Sequence, residues 1–172
     1  PRCPDGYTCV SYSPTDEVCE LNGSDNGDRP DGGNTGGGGD AGPVVCNNDS
    51  EIEPNNSVND PTLTTIPNIS DNYKLVGLAI CPGTDEDFFR YEIDVAGKNS
   101  RVDVTYNPAQ GELAMDLLNS NGVSIAVGQP AANDPNILRI DVPNMPQGVY
   151  FVNVRSAAGA QNNYSIEILT SN

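Results

Sequence analysis

The chain has 172 residues, enough for one ordinary domain with a real hydrophobic core. It carries a formal net charge of −16 with a pI near 4.1, and it contains no His and no Trp. Such a surface repels phosphate backbones and anionic lipid, which argues against nucleic-acid partners and membrane-surface binding and makes cations the natural partners.

Residues 1–22, PRCPDGYTCVSYSPTDEVCELN, hold Cys3, Cys9 and Cys19 among too few apolar side chains to build a core. A segment of this kind is held by disulfides. Three thiols cannot all pair among themselves, so one is expected to pair with an upstream Cys, another chain or the later domain. Residues 23–44, GSDNGDRPDGGNTGGGGDAGPV, offer almost nothing to bury and maximise the entropy lost on ordering, so they read as a flexible linker. Five cysteines in a chain without His indicate an oxidising compartment. We therefore expect a secreted, extracellular or cell-surface protein whose export signal has been removed. No apolar run is long enough to span a membrane, and no membrane insertion is expected.

From 45 to 172 the texture changes to short runs of period-2 alternation separated by Gly, Pro, Asn and Asp, which is the spacing of strands. The runs fall at 72–80, 88–95, 100–106, 112–127 (a pair joined by a turn at Asn119 to Gly122), 136–142, 148–156 and 162–170. In the second run Phe89, Tyr91, Ile93 and Val95 share one face; in the third Val102, Val104 and Tyr106 turn inward. Only a turn near 57–65 stands where a helix could. The pattern predicts an all-β domain, an antiparallel jelly-roll β-sandwich of about eight strands, preceded by the small disulfide-rich segment and the Gly-rich linker.

The order of several short motifs is more specific than any one of them. EPNNS, then GTDEDFFRYEIDVAG, the LAMDLLNSNG hairpin, PQGVYFVNVRSA and the closing NNYSIEIL together resemble the bacterial pre-peptidase C-terminal domain over roughly residues 49–170. The resemblance implies a jelly-roll sandwich that is not itself an enzyme and that serves secretion, processing or attachment of larger exported proteins. The collagen-binding domains of bacterial collagenases are similar, and bind calcium through an E-x-E-x-N-D segment together with Asp residues before the next strand. Glu51, Glu53 and Asn55 match that segment, Asn56 departs from it, and Asp85 and Asp87 fall in the second acidic stretch. Nothing in the chain maps onto the collagen-contacting aromatic surface of those domains.

Calcium (Ca2+) takes about six to eight oxygens, and neither acidic segment supplies enough alone. A Cys46–Cys81 disulfide would bring them together, because each cysteine lies shortly before its acidic cluster. The plain alternative is that these carboxylates are solvated and that the Asn side chains satisfy turn donors. Other candidates read as structural: Asp94 and Asp116 as solvated outward groups, and Tyr106, Tyr150 and Tyr164 as core residues with hydroxyls at the rim. Ser124 has no His partner, and no catalytic set is apparent.

Three functions follow as expectations. The first is a non-catalytic extracellular module that attaches or positions a larger bacterial protein on an extracellular polymer or protein partner. The second is a self-associating subunit of an extracellular filament or surface layer, whose N-terminal arm docks on a neighbour's strand edge. The third is a processed appendage of a secreted peptidase.

Overall fold

A computed structural model describes the backbone of residues 7–13, 16–21 and 64–65, and residues 44–60 and 72–171 in full. The linker expected at 23–44 lies outside the described residues except for Val44, and Cys3 lies outside them as well. All regular structure among the described residues is strand. The strands are β1 (Tyr7–Ser13), β2 (Asp16–Leu21), β3 (Thr64–Thr65), β4 (Asn72–Ile80), β5 (Glu86–Ile93), β6 (Lys98–Tyr106), β7 (Leu113–Asn119), β8 (Ser124–Val127), β9 (Gln129–Ala131), β10 (Asp134–Met145), β11 (Gly148–Ser156) and β12 (Asn162–Ser171).

They form two sheets, in the orders β1-β2-β4-β12-β6-β10-β9 and β3-β5-β11-β7-β8. From β4 to β12 every pairing is antiparallel, and the chain passes repeatedly from one sheet to the other, which is the jelly-roll sandwich expected. β2 adds to the β4 edge in parallel, at Cys19↔Leu75 and Glu20↔Val76, and β3 adds to β5 in parallel. In the β1–β2 hairpin the backbone register sets Cys9 opposite Cys19.

Alternation explains the layers. On β5 the residues Asp87, Phe89, Tyr91 and Ile93 point inward and are fully buried, while Glu86, Phe88, Arg90 and Glu92 face out. Val102, Val104 and Tyr106 are buried as expected. Leu75, Leu78, Met115, Leu117, Val152, Val154, Ile166 and Ile168 complete the core from both sheets. Two expectations need correction. Val95 lies beyond the end of β5, in a turn, and is 58% exposed instead of sharing the inward face. Asp116 is not solvated: its side chain is 13% exposed, paired with Arg155 and accepting from the Ser124 hydroxyl at 2.9 Å. Tyr106 and Tyr150 match their reading, with the Tyr106 hydroxyl donating to Glu112 (2.7 Å) and that of Tyr150 to the Pro146 carbonyl (2.9 Å), whereas the Tyr164 hydroxyl is not at the rim: it is buried and donates to Asp87.

The β4–β5 loop is locked against the β11–β12 loop through Gly83. A Cβ there would stand 1.9 Å from the Gly159 carbonyl oxygen, a backbone atom that cannot swing aside. Gly83→Ala is expected to lower unfolding free energy by about 2 kcal/mol, measured by urea titration. An unchanged midpoint would mean that the two loops do not meet.

Candidate cation site

A strap, residues 44–60, crosses one end of the sandwich and is tied at several points. The Asn163 side chain grips it as a backbone would, accepting from Asn47 N (2.8 Å) and donating to the Val45 carbonyl (2.7 Å). The Asn47 amide donates to the Leu78 carbonyl (3.2 Å), Ala79 N donates to Asp49 Oδ2 (2.7 Å), and Ile52 is buried in the core. The Cys46–Cys81 disulfide joins the strap to the β4–β5 loop across a Cα–Cα distance of 6.3 Å. Beyond it, Phe88 N donates to the Asn55 carbonyl (3.0 Å), so the strap meets the start of β5.

The sequence-predicted residues fall into two groups. Glu53, Asp85 and Asp87 come together, each with a carboxylate oxygen within 4.8 Å of the others. Asn55 is fully buried beside them on the strap. Glu51 is exposed and stands apart from that trio, and Asn56, also exposed, turns its amide to Asp85 Oδ1 (2.7 Å) and the Glu86 carbonyl (2.9 Å). Local hydrogen bonds fix the trio. Asp85 accepts from Cys81 N (3.3 Å) and Glu86 N (3.1 Å), Glu53 Oε2 accepts from Asn55 N (3.1 Å), and the Tyr164 hydroxyl donates to Asp87 Oδ2.

What remains is a set of buried polar atoms with no hydrogen-bond partner: Glu53 Oε1, Asp87 Oδ1 and both the oxygen and the nitrogen of the Asn55 amide. Buried polar atoms are almost always satisfied, so a convergent set of this kind calls for an additional donor or cation. The electrostatics agree. Burial pushes the Asp87 carboxyl well above its ordinary range, against the lowering effect of Tyr164 and with added repulsion from Asp85, Glu53 and Asp49. Glu53, Asp85 and Asp49 are also raised, each chiefly by burial. A cleft of about 390 Å³ lined by Asn56, Pro82, Thr84, Asp85 and Glu86 opens beside the cluster. An all-oxygen donor set of carboxylates and an amide suits a hard cation such as calcium.

Asp49, Asn163 and Tyr164 were not singled out by sequence reasoning as parts of this site. Asp49 sits in the same acidic stretch as Glu53 and was visible as such, whereas the roles of Asn163 and Tyr164 come from contacts 116 and 77 residues distant.

Among solved structures, the chain is similar to the pre-peptidase C-terminal domain of collagenase from Bacillus anthracis, at 16% identity, covering 63% of this chain and 94% of that one, with a TM-score of 0.47. It is also similar to Aeromonas hydrophila PliG, a periplasmic inhibitor of g-type lysozyme, at 14% identity, covering 63% and 97%, with a TM-score of 0.45. No curated protein sequence matches. The family model described as the cyanophage baseplate Pam3 plug gp18 matches residues 79–169, more than half of the chain, and the chain belongs to that family.

Proposed function

We propose that this chain is a non-catalytic structural module that attaches or positions a larger exported assembly through protein contacts, its strap fixed by a disulfide and by a calcium ion. The observation that carries this reading is the convergence of orphaned oxygens from Glu53, Asn55 and Asp87, with Asp85, at a point where a covalent bridge already joins strap and sandwich. Glu53, Asn55, Asp85 and Asp87 would hold the ion, with water completing its shell, and Glu51 and Asn56 stand outside this set. The ion neutralises carboxylates that would otherwise repel one another in a buried site. Membership in a baseplate-plug family supports a structural role, and the disulfide and acidic surface support an oxidising, extracellular setting.

Isothermal titration of the chelator-treated chain with calcium chloride is the direct test. One site is expected, with a dissociation constant of roughly 10⁻⁴–10⁻³ M, the class of extracellular modules, and no heat with Glu53→Ala or Asp87→Ala. An unmodified chain that gives no binding heat rules out the ion.

The second reading is a subunit whose N-terminal arm docks on a neighbour's strand edge; here β2 of that arm pairs with β4 of its own chain, so assembly would require the hairpin to exchange onto the same edge of a neighbour. Negative-stain imaging of the full chain distinguishes the two: polymers favour the arm-docking subunit, and dispersed particles the attachment module.

A further inference from the structure

We propose that the flank formed by β8 and β9 is a self-association surface on which a second copy of this chain docks about a two-fold axis at Ile125. Three observations converge on this flank.

The first is exposure. Val123, Ile125 and Val127 are 57%, 46% and 55% exposed, the first just before the edge strand β8 and the other two within it. Among the described residues, the other large exposed hydrophobics, Val45 and Val95, stand singly elsewhere. β8 closes one side of the smaller sheet and β9 the same side of the larger, so both edges on this side lack a strand neighbour among the described residues. Edges of this kind are normally guarded by charge.

The second observation is the absence of charge, the guard that would hold two copies apart. Residues 117–133, LLNSNGVSIAVGQPAAN, contain no Asp, Glu, Lys or Arg, in a chain whose net charge is −16. Two copies repel each other over most approaches, and this neutral flank is where they meet at the least electrostatic cost. A basic partner would instead seek the acidic end carrying the strap.

The third is symmetry. The run Gly122-Val123-Ser124-Ile125-Ala126-Val127-Gly128 presents the same pattern of Gly, β-branched and small residues in either direction. A two-fold interface must be self-complementary. Antiparallel pairing centred on Ile125 sets each copy's Val123 beside the other's Val127, and Ile125 beside itself. The register with β7 slips at this residue, with Leu117↔Ala126 followed by Leu118↔Ser124, which leaves Ile125 unpaired within its own sheet. The resulting bulge bends the edge and interrupts its ladder, so a second copy meets it over a short length centred on Ile125. This inference goes beyond the attachment reading and does not depend on the cation site.

Sedimentation of the full chain tests it, at concentrations up to about 1 mM, where even a dimer with a dissociation constant of about 1 mM is populated. A dimer is expected whose fraction grows with concentration and with salt, since salt screens the remaining repulsion. Ile125→Lys is expected to weaken it by at least about tenfold, while Val95→Lys and Glu53→Ala leave it intact. If Ile125→Lys melts early, Val127→Lys repeats the test. In the presence of oxidised glutathione, which takes up the two electrons and leaves as the reduced thiol, Ile125→Cys is expected to form a covalent dimer in which mass spectrometry finds position 125 linked to itself; Val95→Cys is not. A monomer at every concentration overturns the proposal, as does a dimer indifferent to lysine at both 125 and 127, or one in which the thiol introduced by Ile125→Cys fails to link to its own copy.

Discussion

Replacing Cys46 and Cys81 with serine is expected to lower the unfolding free energy by about 3–4 kcal/mol, the chain-entropy value for a closed loop of this length. The bridge spans 35 residues of sequence. Its loss leaves the strap held by side-chain clamps, chiefly Asn163 on Val45 and Asn47, Asp49 on Ala79 N and the buried Ile52. These are too few to compensate, since a typical hydrogen bond contributes about 1 kcal/mol net. The same substitution bears on the cation site, because Glu53 and Asn55 come from the strap and Asp85 and Asp87 from the β4–β5 segment. Without the bridge, part of the binding energy must go into holding the two segments together, and calcium affinity is expected to fall with stability. Urea titration and calcium titration of the double-serine chain check both. Unchanged midpoints with unchanged affinity would show that the bridge closes a loop already fixed by its clamps.

The strands were legible because inward and outward positions differ in chemistry. Phe89, Tyr91 and Ile93 alternate with Arg90 and Glu92, and a pleated backbone turns that alternation into two faces. β9 was missed because Gln129, Pro130 and Ala131 show neither alternation nor strand propensity; they pair with β10 only because the sandwich closes there. β11 hid a different fact. Its apolar residues occupy both parities, and Phe151, opposite the outward-facing Arg90, is 8% exposed, so the strand is covered on both sides. Asp116 read as solvated because Arg155, 39 residues away, and Ser124 meet it only across neighbouring strands. At the cation site the acidic types were visible in sequence, but which of them converge was not. EIEPNN carries Glu51, Glu53, Asn55 and Asn56 in one stretch, and the path of the strap turns only Glu53 and Asn55 into the buried cluster. The resemblance to pre-peptidase C-terminal domains reached the fold, whereas the family match to a baseplate plug covers residues 79–169.

In the presence of chelator, this protein is expected to lose stability as pH rises from about 4 toward neutrality, the reverse of the usual behaviour of acidic proteins. The usual case rests on carboxylates whose folded pKa is depressed. Here Asp87, Glu53, Asp85 and Asp49 are all raised above their ordinary values of 3.8 for Asp and 4.5 for Glu, each mainly by burial. Between the ordinary value and the raised one, the folded state binds more protons than the unfolded state, so stability declines with pH through that window. Above it, the folded state keeps the full cost of charged, buried and mutually repelling groups. Calcium changes the sign of the argument, because it binds the deprotonated cluster and competes with its protons. Near pH 7, a concentration about one hundred times the dissociation constant is expected to add about 2.7 kcal/mol, a rise in melting temperature of roughly 5–10 °C for a chain of this size. Near pH 4 the same calcium is expected to add little. Asp87→Asn keeps an acceptor for the Tyr164 hydroxyl and removes the most deeply buried charge. The variant is expected to be more stable than the unmodified chain in chelator at pH 7, to show a shallower pH slope, and to have lost most of the calcium response. Should the chelated wild type instead gain stability between about pH 4 and 7, with calcium making no difference at either end, the buried carboxylates would have to be satisfied from within the protein. The strap would then be held by the disulfide and its clamps alone.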